Sequence, residues 1–384
     1  MIPSISKLPQ TGTTIFTTMS ALAAETGAIN LSQGFPDFDC DPALTALVNK
    51  AMQNGLNQYA PMAGLLTLRE EIARKTEKLH QAVYHPDTEV TITAGGTQAI
   101  FTAICATIHP NDEVIVFEPA YDCYAPAIKL MGGIVKSLEL EPPEYRIPWQ
   151  MVKRLINSRT RMIILNSPHN PTANALTRQD IDQLIALLKD TDILILSDEV
   201  YEHIIFDDLQ HESMARYAHL RERSFIVASF GKLLHTTGWK IGYCLAPASL
   251  MAEFRKVHQY LVFSVNTPMQ DGIAAYLKDE QNYLQLASFF QQKRDYFRKG
   301  LEATPFELLP CHGSYFQSIS YRQLSKEKDK DYTLRLVKEI GVATIPVSAF
   351  YTKSTDHHVI RFCFAKKQET LDKALERLLS VKTY

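Results

Sequence analysis

Between residues 90 and 250, short apolar runs alternate with longer amphipathic stretches. Val90–Thr93, Glu113–Phe117, Ile134–Leu138, Arg161–Leu165, Ile193–Ser197, Phe225–Ala228 and Ile241–Leu245 read as strands of four or five residues rich in Val, Ile and Leu. Several lack polar alternation. Runs such as Met162–Leu165 and Ile193–Leu196 need cover on both faces, as the strands of a parallel sheet sandwiched between helices have. Helical patterns lie between them at Thr97–Ile108, Ala120–Met131, Trp149–Ser158 and Thr177–Lys189, the last with Ile181, Leu184, Ile185 and Leu188 on one stripe. Strand, helix, strand is the rhythm of an α/β fold.

Outside this block the rhythm changes. Long helical patterns run from Leu250 through Leu261 and again over Gly272–Leu301, followed by a Pro/Gly-punctuated stretch, Thr304–Gly313. The last part mixes strands (Tyr315–Ile319, Val359–Phe364) with helices (Tyr332–Ile340, Glu369–Val381), as a smaller α+β domain does. The first forty residues show weak periodicity and two Pro/Gly-rich turns, and read as an extended arm. The expected division is an arm with part of the small domain over 1–42, a large domain over 43–275, and a small domain over 276–384.

Composition narrows the function classes. The chain has 384 residues, 46% hydrophobic and 21% charged, which fits an ordinary globular protein rather than a disordered or fibrous one. The formal net charge of −2 gives no field suited to nucleic acid or a membrane surface, so small-molecule partners are expected. Cys40, Cys105, Cys123, Cys244, Cys311 and Cys363 are scattered without a CxxC and read as free, mostly buried thiols rather than disulfides or a metal site. The N-terminal residues show no charged stretch followed by an apolar run, and no apolar run reaches about 18 residues, so a cytoplasmic location is expected.

Four loops stand out because each follows a predicted strand, at the sheet edge where open α/β folds bind ligands. Ala94-Gly95-Gly96-Thr97-Gln98 opens a helix, and its glycines and free N–H groups form a seat suited to a phosphate, although alone such a string is more often only a turn. Asn166-Ser167-Pro168-His169-Asn170-Pro171-Thr172 makes a rigid loop in which Asn170 offers an amide donor. Ser197-Asp198-Glu199-Val200-Tyr201 ends a buried strand in two acids, which need cationic or hydrogen-bonding partners, either in an ion pair or in a site. Ser229-Phe230-Gly231-Lys232 places a lysine at the mouth of an apolar sheet, where desolvation favours the neutral, nucleophilic amine.

A phosphate seat, a buried carboxylate, an Asn and a Tyr near a phenolic oxygen, and a Schiff-base lysine together match what pyridoxal 5′-phosphate requires. With Lys240 and Gly242 completing a Ser-Phe-Gly-Lys-x7-Lys-x-Gly string, the chain resembles a fold-type I, class I/II aminotransferase over nearly its whole length. The string Glu118-Pro119-Ala120-Tyr121-Asp122-Cys123-Tyr124 is similar to the branch that holds methionine, kynurenine and glutamine aminotransferases.

The resemblance implies a mainly parallel seven-stranded sheet sandwiched by helices, and it implies roles. Lys232 would carry the cofactor and move the proton released from the substrate Cα. Asp198 would pair with the pyridine nitrogen, Asn170 and Tyr201 with the phenolic oxygen, and Tyr121 would stack on the ring. Gly96, Thr97, Ser229 and Lys240 would hold the phosphate, with lysine at 240 where many members have arginine. Tyr59 would reach the phosphate of a second subunit, which implies a homodimer with shared sites. Arg361, within Val359-Ile360-Arg361-Phe362, would take the substrate carboxylate, with Gly34 where the arm crosses the substrate and Phe16 as a side-chain wall.

The implied reaction is ping-pong transfer of an amino group from methionine, or from aromatic amino acids or glutamine, to a 2-oxo acid. Kynurenine transamination and β-elimination from a cysteine conjugate are the alternatives on the same fold. A dinucleotide-binding dehydrogenase fits poorly, because Gly95-Gly96-Thr97 is not GxGxxG. A DNA-binding regulator would need an additional helix-turn-helix module.

Overall fold

The structure is a computed structural model and describes residues 5–9 and 11–382. In chain order it begins with α1 (Ile15–Thr26), β1 (Ile29–Asn30), α2 (Pro42–Gln53) and α3 (Leu66–His80). The central block runs β2 (Val90–Thr93), α4 (Gly96–Thr107), β3 (Glu113–Glu118), α5 (Tyr124–Leu130), β4 (Ile134–Glu139), α6 (Trp149–Leu155), β5 (Thr160–Asn166), α7 (Arg178–Leu188) and β6 (Leu194–Asp198). It closes with α8 (Ala218–Arg221), β7 (Ser224–Ser229), α9 (Phe230–Leu233) and β8 (Gly242–Leu245). Then come α10 (Ala248–Leu261), α11 (Thr267–Leu277), α12 (Gln281–Leu284), α13 (Leu286–Leu301), β9 (Glu307–Leu308) and β10 (Phe316–Ser320). The remaining elements are α14 (Asp329–Arg335), β11 (Val342–Ala343), β12 (Ile345–Pro346), β13 (Val359–Cys363) and α15 (Gln368–Leu378).

The seven expected strands form one sheet in the order β2-β8-β7-β6-β5-β3-β4. All neighbours pair in parallel except β8, which runs antiparallel to both β2 and β7. The α/β class and the mainly parallel sheet read from the sequence therefore hold. β2, β3 and β6 are buried along their whole length, and helices cover both faces, which explains their unbroken apolar runs. At the sheet's edge β4 is only partly buried, and there the pattern admits Lys136 and Ser137.

The antiparallel β8 brings its first residue to the edge where the parallel strands end. Gly242 faces Thr93 on one side and Ser229 on the other, so the loops after β2, β5, β6 and β7 and the one before β8 meet there. A second, antiparallel sheet, β12-β13-β10-β9, sets Arg361 opposite Ser318 and Ile345. A two-residue parallel ribbon, Ile29 with Val342 and Asn30 with Ala343, ties the early chain to the late chain.

Three expectations need correction. The first forty residues are not wholly extended, because Ile15–Thr26 is a helix, capped by the Thr14 side chain and ended at Gly27 with φ of 65°. Only Met19 and Ala23 of that helix are buried, against Ala343, Ile345 and Phe350 among others, so its hydrophobic stripe is too narrow to show in the sequence. Residues 1–4 and 10 of the expected arm lie outside the described residues. The pattern over Gly272–Leu301 is several helices, interrupted where the Asp279 carboxylate accepts from Gln281 N at 3.0 Å. The helix expected from Ala120 starts at Tyr124, since Ala120 N donates to Phe350 O and residues 121–123 turn. The sequence reading also omitted α2, which is capped by Asp41 and opened by Pro42, and the amphipathic α3.

All six cysteines are free, with Cys244, Cys311 and Cys363 buried and the other three partly so. Among the described residues no helix is long and apolar enough to cross a membrane.

Candidate active site

The loops at the strand ends enclose a cavity of about 300 Å³. Gly34, Phe16, Gly96, Thr97, Tyr121, Asn170, Asp198, Tyr201, Ser229, Lys232, Lys240 and Arg361 all line it. Tyr59 does not. The residue is 80% exposed, and its ring packs edge-on against Phe263 at 5.2 Å.

The glycine turn is shaped by contact. Gly95 has φ of 81°, and a Cβ there would sit 3.2 Å from the Lys240 Nζ, so the ammonium rests against bare backbone at the start of α4. Lys240 itself adopts φ of 56°. Thr97 Oγ1 and Tyr121 Oη lie 3.1 Å apart, and burial pushes the Tyr121 phenol up to about 12. A cation, the first N–H groups of a helix and a hydroxyl thus converge, the makings of an anion seat.

Asp198 closes β6 and is 3% exposed. Tyr124 Oη donates to its Oδ2 at 2.6 Å, and Val200 N approaches Oδ1 at 3.3 Å. Burial raises this acid to about 6 despite those bonds. Its neighbour Glu199 takes a different course. Burial would raise Glu199 too, but His211, at 2.8 Å, holds it below the ordinary value, and Ser197 Oγ and Met214 N also donate to it. The two acids expected as a pair therefore divide, one structural and one facing the cavity.

Lys232 sits on the short α9, directly after β7. Burial lowers its amine to about 8, with the positive Lys240 and Arg361 acting in the same direction. Nζ donates to Gly34 O at 3.0 Å and to Tyr315 Oη at 2.6 Å. Gly34 is needed for close approach, since a Cβ there would fall 2.7 Å from Phe316 Cζ.

Arg361 lies inside β13, 1% exposed, and burial lowers it to about 10. Nη1 donates to Asn170 Oδ1 at 2.7 Å and Nη2 to Ser32 O at 2.8 Å, while the guanidinium stacks over Phe316 at 3.9 Å. Its buried Nε has no partner among the described residues. Because Asn170 accepts from Arg361 through its carbonyl, its amide nitrogen is left as the donor.

The sequence reading missed Tyr124, which holds Asp198, and Asn166, whose Nδ2 donates to Asp198 O and whose Oδ1 accepts from Asn170 N. It also missed Phe316 and Tyr315. Tyr124 and Asn166 stand in strings already singled out, next to the residues they support. Tyr315 begins an expected strand, where an inward Tyr is otherwise a core residue.

The family model "Aminotransferase class I and II" matches residues 26–378. The chain is a class I and II aminotransferase. It is 50% identical to methionine aminotransferase of Escherichia coli K12 over 98% of each chain. A solved Escherichia coli structure, described as having a methionine aminotransferase function, superposes with a TM-score of 0.97 over 99% of both chains at 50% identity. N-succinyldiaminopimelate aminotransferase of Mycobacterium tuberculosis superposes at 0.95, with 35% identity, over 99% of this chain and all of that one. Mouse kynurenine–oxoglutarate transaminase 1 is 34% identical over 94% of this chain and 93% of its own. This aminotransferase moves an amino group from an amino acid to a 2-oxo acid, with pyridoxal 5′-phosphate as its cofactor. The cavity fits that group: it offers a desolvated acid with no cation bonded to it among the described residues, a cation resting on glycine backbone, and a half-buried amine of lowered basicity.

Proposed function

We propose that the enzyme transaminates methionine and related amino acids with long apolar or aromatic side chains. The observation that carries this reading is the joint placement of a half-buried amine, Lys232, with a buried acid and a buried guanidinium, Asp198 and Arg361, around one cavity with a Phe16 and Phe316 wall. Bound there, pyridoxal 5′-phosphate supplies an aldehyde and a conjugated ring that accepts electron density from the substrate Cα. Lys232 anchors it, and its free amine moves the Cα proton. Asp198 accepts the ring N–H and keeps that nitrogen protonated. The Asn170 amide and the Tyr201 hydroxyl, which burial raises well above its ordinary value, donate to the phenolic oxygen. Tyr121 covers a ring face, while Gly96, Thr97, Ser229 and Lys240 take the phosphate.

Arg361, already oriented by Asn170 and Ser32, receives the substrate carboxylate, and its unpartnered Nε provides a further donor. The Phe16 ring lies 5.6 Å from the guanidinium and Phe316 stacks on it, so the side chain beside them meets apolar rings instead of a second cation. That favours methionine over a dicarboxylate. The 50% identity to the Escherichia coli methionine aminotransferase supports the same choice. The exposed Tyr59 suits a homodimer in which it completes a second copy's phosphate seat. We further infer a cytoplasmic enzyme divided near residues 42 and 275.

A panel of methionine, phenylalanine, tyrosine, glutamine, kynurenine and aspartate as donors, each with several 2-oxo acids, tests the reading. Methionine should give the highest kcat/KM. A preference for aspartate would overturn it, and pyruvate with ammonia from a cysteine conjugate, without an added oxo acid, would point to β-elimination.

A further inference from the structure

Tyr315 has no place in the roles assigned above, yet its hydroxyl is bonded to the reactive amine. The side chain is fully buried, packed edge-on against Tyr201 at 5.1 Å and Phe316 at 5.0 Å and tilted against Phe290 at 5.7 Å. Its Oη donates to Gly34 O at 2.5 Å, and that bond uses its proton. What it offers Lys232 at 2.6 Å is therefore a lone pair, and Lys232 Nζ in turn also reaches Gly34 O at 3.0 Å. The amine nitrogen and two oxygens, from three separate stretches of chain, thus close a triangle.

We propose that Tyr315 is a positioning residue for the reaction: its hydroxyl, fixed to the Gly34 carbonyl, receives the Lys232 amine whenever that amine is not covalently engaged and keeps it aimed into the cavity. The inference rests on the assignment of Lys232 as the cofactor-bearing residue. A lysine has four side-chain torsions and rotatable donors, so a free amine in an open cavity would sample many directions. Two acceptors on one side leave it a single remaining direction. Because a lone pair stabilises the ammonium, Tyr315 also moderates the loss of basicity that burial imposes. The other titratable groups facing the amine are Asp198 at the end of β6, Tyr201 after it, Lys240 before β8, and Arg361 and Cys363 on β13. None of them supplies a hydrogen bond to Nζ among the described residues.

The test is Y315F, which keeps the ring and its packing and removes one oxygen. In the full-length protein stripped of cofactor, the pH dependence of Lys232 modification by trinitrobenzenesulfonate is followed by peptide mass spectrometry. The midpoint should fall by about one pH unit in Y315F, tenfold in proton affinity. Re-formation of the yellow cofactor adduct, followed by absorbance, should slow about tenfold while near-UV circular dichroism stays unchanged. If Y315F disturbs the fold, 3,5-difluorotyrosine at position 315 preserves the shape and weakens the acceptor, and its midpoint should fall between those of Y315F and the wild type. A midpoint that moves in neither protein overturns the proposal. Borohydride treatment of the wild-type holoenzyme separates the two readings: an unlabelled Lys232 overturns the assignment of the lysine itself, whereas a labelled Lys232 with an unmoved midpoint overturns the role of Tyr315 alone.

Discussion

Asp198 is a desolvated acid awaiting a cation, and D198N makes the cost of that arrangement measurable. Burial raises the carboxyl from 3.8 to about 6. At 1.36 kcal/mol per pH unit this corresponds to about 3 kcal/mol, and with only 3% of the residue exposed, solvent screening removes little of it. The sign follows from proton counting. Between about pH 4 and pH 6 the folded protein binds more protons at this site than the unfolded chain, so stability falls as pH rises through that window. Denaturant titrations of cofactor-free protein at several pH values should show the wild type losing about 3 kcal/mol relative to D198N between the two ends. Adding pyridoxal 5′-phosphate should abolish that relative loss in the wild type, because a protonated ring nitrogen gives the carboxylate its partner. Parallel profiles for the two cofactor-free proteins would refute the reasoning, since Asp198 would then be no less solvated when folded than when unfolded.

Three further outcomes are expected. R361K replaces a fork aimed at Asn170 and Ser32 by a point charge, and steady-state kinetics should show KM for the amino acid rising at least tenfold with kcat changed less; an unchanged KM would place carboxylate recognition elsewhere. K240M removes the cation seated on Gly95 and should weaken cofactor binding about tenfold in an absorbance titration, while raising the basicity of Lys232, on which Lys240 now acts downward. G34A sets a methyl 2.7 Å from Phe316 Cζ and should lower stability by about 1–3 kcal/mol in thermal or urea unfolding, with a matching loss of activity.

The sheet was legible because its strands carry their own signature. A run such as Met162-Ile163-Ile164-Leu165 has no polar face to lose, so burial on both sides follows from composition alone. The start of α7 at Thr177 was read from its apolar stripe alone; the structure adds a reciprocal capping pair between Thr177 and Asp180. α1 was not legible, because only two of its side chains are buried and the surface they meet is contributed by residues 337–350. The site divides along the same line. Asp198 ends a strand and Lys232 and Asn170 stand just past strands, where local sequence reveals position. Tyr315 and Tyr124 act through hydroxyl groups whose partners lie 83 and 74 residues away in sequence, and nothing local to them marks that use.

The ribbon of Ile29–Asn30 with Val342–Ala343 has a consequence for the order of assembly. A ribosome delivers the first of these pairs long before the second, so the passage bearing Ser32 and Gly34 must wait, unseated, while the strand that ends in Asp198 and the α9 turn that bears Lys232 are synthesised. Leu31, which receives a bond from Cys363, waits as well. The reactive edge therefore stays open to bulk water until the last stretch of polypeptide emerges, and a product that stops short of residue 342 leaves it uncovered.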